Sequence, residues 1–341
     1  MGSSSRQAGR EPSEEPTIPQ KRRYTLNLSS EKKKDSLLTH SGYDPTIALI
    51  ASASDIGRVR TINQDECGDF QHPESGVRLL LVADGMGGHR GGEVASQMAV
   101  RRMGEVFQED STVEPSRLLE HAFNEANQVI FERSSNESEL AGMGTTAVAL
   151  LLDGSPAATL AHVGDSRAYR MREGQLEQLT ADHSVVGELV KRGQLSLEEA
   201  RHHPQSNEIL RALGTRNEVQ IELTPIDIMR GDRFLLCSDG LSGMLSEPQI
   251  SEILSEGHPQ EIAEKLIEEA NQAGGMDNVT VQVVVLPRPK SEDGITRAPS
   301  DGKNPGAAAA GPWLRWAITL ILLAGILALL LLGLEDPANS P

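Results

Sequence analysis

Short apolar runs recur through the middle of this 341-residue chain and predict β-strands. The pairs Asp153-Gly154 and Glu173-Gly174 separate neighbouring runs and are typical of tight hairpin turns. Because hairpins join antiparallel strands, we expect antiparallel sheets. The predicted strands span residues 47–51, 77–83, 146–152, 158–163, 168–172, 233–237 and 279–286.

Longer segments place apolar residues at helical spacing, most clearly around Leu118, Ala122 and Phe123. Hairpins interleaved with long amphipathic helices indicate a layered α+β domain, which we assign to residues 46–287. The three long predicted helices span residues 93–107, 115–131 and 259–271.

A polar segment, 181–216, interrupts the strand pattern. It is predicted to form a flap or lid on the domain surface, with two short helical pieces at 183–192 and 196–203. We expect His202 and His203 within it to lie at the surface or to contact a substrate.

Both ends of the chain differ in composition from the central block. Residues 1–45 are rich in Ser, Pro, Glu, Lys and Arg, which predicts a disordered, solvated tail, with contact to anionic lipid or a partner as the alternative. Residues 288–312 predict a flexible tether. Residues 313–334 contain an uncharged apolar run that, at about 1.5 Å per residue, spans roughly 30 Å of hydrocarbon.

We therefore predict a single transmembrane helix at 313–334, followed by a short tail, 335–341; a buried core helix is the alternative. The N-terminus lacks the apolar region of a secretory signal. The central block, 46–287, is accordingly expected to be cytoplasmic and anchored to a membrane through the C-terminal helix.

The net charge of −17 argues against nucleic-acid binding, which requires clustered Lys and Arg. The two cysteines, Cys67 and Cys237, are far apart and form no CxxC pair, so they indicate neither a zinc site nor a disulfide framework.

Acidic residues recur at the ends of the predicted strands. Asp84, Asp165 and Asp239 each follow an apolar run, Asp277 precedes one, and Asp65 is a further candidate. A single Asp-Gly pair is usually a turn. Several carboxylates converging at one sheet edge would repel each other unless cations lay among them, and oxygen ligands suit Mg²⁺ or Mn²⁺.

These motifs also occur in a characteristic order. The ordered set closely resembles the bacterial branch of the protein phosphatase 2C family, the metal-dependent Ser/Thr protein phosphatases. The resemblance covers residues 46–287 and implies a four-layer α/β/β/α fold, in which a central antiparallel β-sandwich is flanked by helices on both sides. The set comprises Arg60 with Asp65, Asp84-Gly85-Met86-Gly87-Gly88-His89, Gly144-Thr145-Thr146, Gly164-Asp165-Ser166-Arg167, Ser238-Asp239-Gly240 and Asp277-Asn278.

The resemblance implies two Mn²⁺ or Mg²⁺ ions in a cleft. Asp84 would bridge them, the Gly85 carbonyl would hold one, and Asp239 and Asp277 would complete the other. Asp65 would contact these ligands, or a water bound to the metal, without binding the ions directly.

Two further roles follow from the same resemblance. Asp165 resembles the ligand of a third, weaker metal ion, and Arg60 matches the arginine that grips the substrate phosphate. A hydroxide shared by the two main ions would attack phosphorus in line. No cysteine nucleophile is needed, so Cys237 is expected to fill the core.

The chain departs from the family pattern in two places. Met86 stands where some relatives have a histidine proposed as general acid, and His89 is the nearest substitute, with a loop hydrogen-bonding role as the alternative. Gln64 stands where many relatives have Glu, which removes one negative charge beside Asp65.

The leading hypothesis is a membrane-anchored phosphatase that acts on phosphorylated proteins and opposes a bacterial-type Ser/Thr kinase. A catalytically silent pseudophosphatase that serves as a tethered binding module is the alternative. A nucleotide-binding enzyme is poorly supported, because no GxxxxGK[ST] motif follows the strand before Asp84.

Overall fold

The computed structural model describes residues 23–27, 48–72, 74–88, 90–109, 114–154, 156–201 and 203–288. The strands are β1 (Arg23–Asn27), β2 (Leu49–Asp55), β3 (Asp65–Gln71), β4 (Arg78–Met86), β5 (Gly144–Thr145), β6 (Ala147–Leu152), β7 (Ala157–Val163), β8 (Arg167–Arg172), β9 (Gln175–Gln178), β10 (Glu222–Asp227), β11 (Arg233–Cys237) and β12 (Val279–Val285). The helices are α1 (Gly91–Glu109), α2 (Pro115–Asn136), α3 (Val185–Lys191), α4 (Leu197–Arg201), α5 (Asp239–Ser242), α6 (Glu247–Ser255) and α7 (Pro259–Gln272), and a 3₁₀ turn spans Ser138–Leu140.

The strands form two sheets in which every described pairing is antiparallel, as predicted. The first sheet has the order β1-β2-β12-β11-β8-β9, and the second has the order β10-β7-β6-β4-β3, with β5 also paired to β4. Three apolar clusters define the layers. One lies between the sheets, one joins the second sheet to α1 and α2, and one joins the first sheet to α6 and α7. The prediction of a four-layer α/β/β/α fold is confirmed.

Strand β4 shows why the apolar run that precedes Asp84 is uninterrupted. Side chains alternate across a strand, and both faces of β4 are covered. Leu79 and Leu81 pack toward α1 and α2, whereas Leu80 and Val82 pack between the sheets. β4 is therefore an interior strand buried on both faces, between β6 and β3, and it carries Asp84 to one edge of the sandwich.

The structure extends β4 beyond the point where the sequence predicted a turn. Gly85 and Met86 remain in the strand because they pair with Thr145 and Gly144 of β5. Asp84 therefore lies within a strand, and the glycine-rich turn begins only after Met86.

Several elements had no clear sequence signal. β1 lies inside the stretch 1–45, where a disordered tail was predicted, and it pairs with β2. β10 contains Pro225 and occupies the edge of its sheet, the position at which proline is tolerated in a strand. The two short helices predicted in 181–216 are present as α3 and α4.

The apolar run 313–334 lies outside the described residues. Among the residues that are described, no helix is both long and apolar enough to cross a membrane.

Candidate active site

Acidic side chains from different strands meet at one edge of the sandwich. Asp65 begins β3 and lies directly opposite Asp84 of β4. Asp239 follows β11 and Asp277 precedes β12, and these two strands are antiparallel neighbours, so the two acids lie at the same end. Asp165, in the turn between β7 and β8, interacts electrostatically with Asp239. The five predicted carboxylates are therefore brought together.

Burial and mutual repulsion both disfavour ionisation of this cluster. Burial raises the pKa of Asp65 to about 7. Hydrogen bonds from Ser238 and Thr280 lower this pKa, whereas repulsion from Asp239 and Asp277 raises it further. Burial, followed by repulsion from Asp239 and Asp182, raises the pKa of Asp165 to about 8. The pKa of Asp84 is raised well above its ordinary value by burial and by Asp65, and burial also raises the pKa of Asp239. Arg60 and Arg167 act in the opposite direction on Asp239, and the five carboxylates of the described site outnumber these two cations.

Within the part of the chain that the structure describes, two buried carboxylate oxygens of this cluster lack any hydrogen-bond partner. Oδ1 of Asp65 and Oδ1 of Asp165 are both in this state, although each residue is only 7% exposed. A buried acceptor without a partner is costly and requires a physical explanation. Several oxygen donors converging with unused lone pairs fit hard divalent cations such as Mg²⁺ and Mn²⁺.

Threonines of the β5–β6 region fix the backbone of Asp84. The Asp84 N–H donates to Thr146 Oγ1 at 3.0 Å, and the Asp84 carbonyl accepts from Thr145 Oγ1 and from the Thr146 N–H, both at 2.8 Å. Thr146 Oγ1 also lies 2.7 Å from Ser166 Oγ, next to Asp165. The Gly144-Thr145-Thr146 motif thus connects two of the carboxylate-bearing segments.

Gly85 occupies a position with no space for a side chain. Its N–H donates to the Gln64 carbonyl at 3.0 Å. A Cβ at Gly85 would collide with the Gly92 carbonyl and would lie 2.6 Å from the Gln64 oxygen. The glycine is therefore required for the close approach of β4, the Gln64 segment and the start of α1.

Arg60 lies at the open side of the cluster. Its side chain is 49% exposed, and its Nη2 donates to Asp277 Oδ2 at 2.6 Å. A guanidinium has five N–H donors in all, so pairing with Asp277 leaves donors that can meet a phosphate. The structure thus places Arg60 beside Asp277, and its role in phosphate binding stays a prediction.

Comparison with known proteins agrees with this arrangement. The family model described as protein phosphatase 2C matches residues 57–272. The chain belongs to the protein phosphatase 2C family. It is 42% identical over 236 residues to the serine/threonine phosphatase Stp of Listeria monocytogenes, covering 68% of this chain and 93% of that protein.

Solved structures of this family are also similar. The serine/threonine phosphatase PstP/Ppp of Mycobacterium tuberculosis is 41% identical with a TM-score of 0.65, covering 71% of this chain and 99% of that one. Stp1 from Staphylococcus aureus is 33% identical with a TM-score of 0.69, covering 73% of this chain and 99% of that one. A PstP catalytic domain in complex with two manganese ions is 40% identical with a TM-score of 0.64, covering 71% of this chain and 99% of that one.

Other residues of this phosphatase-family site carried no role in the sequence analysis. Ser238 is fully buried and donates to Asp65 Oδ2 at 2.8 Å. Asn278 donates to the carbonyls of Ile56 and Ile62 at 2.9 and 3.0 Å and accepts from the Gln64 N–H at 2.8 Å. Both lie directly beside predicted ligands, in Ser238-Asp239 and Asp277-Asn278, and that adjacency was the only available signal.

The remaining predictions have different outcomes. His89 and His202 lie outside the described residues. The role of the Gly85 carbonyl as a metal ligand stays a prediction. Cys237 is fully buried in the core, and burial raises the pKa of its thiol to about 12. This agrees with a packing role and not with a nucleophile.

Proposed function

We propose that this chain hydrolyses phosphoserine and phosphothreonine in proteins, with two Mn²⁺ or Mg²⁺ ions and a third, weaker one as cofactors. The observation that carries the proposal is the convergence of buried and half-buried carboxylates beside the exposed Arg60 guanidinium, with two oxygens that lack a hydrogen-bond partner among the described residues. A pseudophosphatase would have no need to retain the complete acidic set.

Each acidic residue has a proposed role. Asp84, the Gly85 carbonyl, Asp239 and Asp277 hold the two main ions, and Asp165 holds the weaker one. When bound, the ions supply a water of lowered pKa for attack on phosphorus and offset the charge of the phosphoryl oxygens.

The chain's own groups orient the reaction. Asp65 is held by Ser238 through Oδ2, and its Oδ1 has no hydrogen-bond partner among the described residues. Arg60 binds the phosphate through paired N–H donors. His89 is the proposed proton donor to the departing serine or threonine oxygen.

Relatives support the reaction class. The similar proteins from Listeria and Mycobacterium are named serine/threonine phosphatases, and one similar PstP structure contains two manganese ions. We transfer this class to the present chain because the matching region includes all of the acidic residues except Asp277, and the structure brings Asp277 to the others.

We further propose that the enzyme is cytoplasmic, is tethered to a membrane by the helix predicted at 313–334, and opposes a Ser/Thr kinase. The support for tethering is the uncharged apolar run of the sequence. Membrane fractionation of the full chain, compared with a variant lacking 313–334, tests the tether. A phosphoproteome of a strain carrying D239A tests the kinase relationship.

The full chain, purified in detergent, should release phosphate from a phosphothreonine peptide when Mn²⁺ is present. Chelator and the D239A substitution should each reduce turnover to background. E252Q, which changes an exposed acid on α6, is the matched control. Turnover that persists in chelator would overturn the metal-dependent mechanism, and Mn²⁺ binding without turnover would favour the pseudophosphatase.

A further inference from the structure

His183 makes an unusual double contact with the glycine that precedes Asp165. The His183 N–H donates to the Gly164 carbonyl at 2.9 Å, and the Gly164 N–H donates to His183 Nδ1 at 3.2 Å. Both polar backbone groups of Gly164 are therefore bonded to one residue. Gly164 has φ of +105°, and a Cβ there would lie 2.6 Å from Thr146 Cγ2, so the turn has little freedom to shift.

A second connection runs parallel to the first. Arg167 Nε and Nη2 donate to the two oxygens of Asp182, at 2.9 and 2.6 Å. Residues on both sides of Asp165 are thus fastened to two consecutive residues, Asp182 and His183. The fork geometry of this pair adds directional specificity to the connection.

His183 also begins the pairing that closes the flap. The His183 carbonyl accepts from the Leu210 N–H at 2.7 Å, Ser184 forms a β-bridge with Ile209, and the Val185 N–H donates to the Glu208 carbonyl at 2.9 Å. The same residue is therefore bonded to the Asp165 turn and to the returning end of the flap.

The hydrogen bonds fix the protonation of the ring. Because Nδ1 accepts from the Gly164 N–H, the proton of the neutral imidazole is on Nε2, which lies 3.2 Å from Glu222 Oε2. His162 stacks on the ring with centroids 4.5 Å apart, and donates from its own Nε2 to the Ala181 carbonyl at 2.9 Å. Burial lowers the pKa of both histidines, in agreement with neutral rings.

His162, His183 and Glu222 also form a group of side chains that could bind zinc. One ligand atom from each lies within 4.8 Å of the others. The hydrogen bonding opposes that use. A metal on His183 Nε2 would move the proton to Nδ1, where it would face the Gly164 N–H. Arg211 Nη1, 3.4 Å from Nε2, would further repel a cation. The rings are also nearly parallel, at 16°, so one ion cannot lie in both ring planes.

We propose that His183 is a positioning residue that holds the Asp165 carboxylate in the acidic cluster and joins it to the base of the flap. The proposal rests on the proposed function in one respect, namely that Asp165 binds the weaker metal ion. The imidazole acts as a hydrogen-bond acceptor for Gly164, so removing that acceptor loosens the Asp165 turn and the flap together.

The test compares two substitutions in the full chain. H183L removes the acceptor and keeps an apolar volume, whereas H183N places an amide oxygen near the former Nδ1 position. Calorimetric Mn²⁺ titration measures the weakest site, and hydrogen exchange of residues 185–201 in the metal-free protein measures the flap. H121A, on the exposed face of α2, is the control.

We expect H183L to weaken the weakest Mn²⁺ site at least tenfold and to accelerate exchange in 185–201 at least tenfold, while the two tight sites persist. H183N should recover most of both losses. Equal impairment of H183L and H183N, or no change in either measurement, would overturn the proposal. Stoichiometric Zn²⁺ binding that is lost in H183L and E222Q would replace it with a zinc site.

Two further variants keep the result interpretable. If H183L does not fold, D182N breaks the neighbouring connection to Arg167 and carries the same expectation. If D165N leaves Mn²⁺ binding unchanged, the metal role of Asp165 is wrong. Hydrogen exchange of residues 185–201 in the metal-free protein then tests whether His183 holds the flap, independently of metal binding.

Discussion

Asp65 and Asp84 lie directly opposite each other on β3 and β4. Like charges at opposed positions of an antiparallel pair destabilise a sheet, and here burial adds to the cost. The pKa of each is raised, chiefly by burial, and Asp65 contributes repulsion to Asp84. The strand pairing therefore brings together two acids that require either protons or cations between them.

The first prediction is a pH-dependent stability of the metal-free protein. The pKa of Asp65 is about 7 and that of Asp165 about 8, both above the ordinary 3.8. Between the ordinary pKa and these raised values, the folded state holds protons that the unfolded state releases. The contribution of these two groups to the free energy of unfolding is therefore fully present below about pH 4, falls as the pH rises, and is lost once the pH has passed through 7 to 8. We expect a lower Tm at about pH 8.5 than at about pH 5.5, with Mn²⁺ reversing the difference.

Calorimetry with D65N separates this effect from general alkaline destabilisation. Neutralising one opposed acid should raise the Tm of the metal-free protein at about pH 8.5 more than at about pH 5.5, and should reduce the gain from Mn²⁺. E252Q should behave as the unsubstituted chain. If the Tm of D65N shifted equally at both pH values, ionised Asp65 would not be the cause of the lower stability at high pH.

The second prediction concerns two glycines, Gly85 inside the last part of β4 and Gly88 in the turn that follows it. G85A should abolish folding or Mn²⁺ binding, because its methyl group would collide with the Gly92 carbonyl and crowd the Gln64 oxygen. G88A meets no atom within 4 Å and should leave the Tm almost unchanged. Circular dichroism and Mn²⁺ titration compare the two variants. Equal tolerance of both would mean that β4 and α1 separate more easily than this packing implies.

The sequence predicted the layers well because their signals are local. The apolar run of β4, buried on both faces, and the helical stripe around Phe123 follow from periodicity alone. β10 escaped detection because Pro225 interrupts a strand signal, and only its edge position makes that proline acceptable. β3 escaped because only Cys67 and Phe70 among its seven residues are apolar.

The site was predicted as a set of ligands but not as a network. Asp65, Asp84, Asp239 and Asp277 were identified through motifs in the sequence. The bonds from Ser238 to Asp65 and from Asn278 to Ile56 and Ile62 join residues more than 170 positions apart, and no local pattern encodes them. Such contacts emerge only from the pairing of β11 with β12 and from their position beside β3.

The third prediction concerns Asn278. Its amide donates to the carbonyls of Ile56 and Ile62 and accepts from the Gln64 N–H, so it organises the segment that carries Arg60. N278A leaves half-buried backbone groups unpaired, at a cost of roughly 1–3 kcal/mol for each group that water does not reach. We expect a lower Tm and a higher KM for a phosphothreonine peptide.

N278D provides a sharper comparison. Aspartate keeps the acceptor for Gln64 but turns an oxygen toward two carbonyls, so it should be at least as damaging as N278A. N124A, on the exposed surface of α2, is the control. Full activity and stability in N278D would show that the Arg60 segment is held by other contacts.

The fourth prediction concerns Arg60, whose pairing with Asp277 at 2.6 Å places one guanidinium between a proposed metal ligand and solvent. R60A removes the phosphate donors, and loss of charge-assisted hydrogen bonds worth about 1.5–3 kcal/mol corresponds to a roughly 10- to 150-fold fall in kcat/KM. R60K keeps the charge but not the paired donors, so it should recover only part of this loss.

R101A, at an exposed position on α1, is the control. Steady-state kinetics on a phosphothreonine peptide, with inorganic phosphate as competitive inhibitor, measures the effect. An unchanged inhibition constant for phosphate in R60A would show that Arg60 serves Asp277 and does not bind the phosphate.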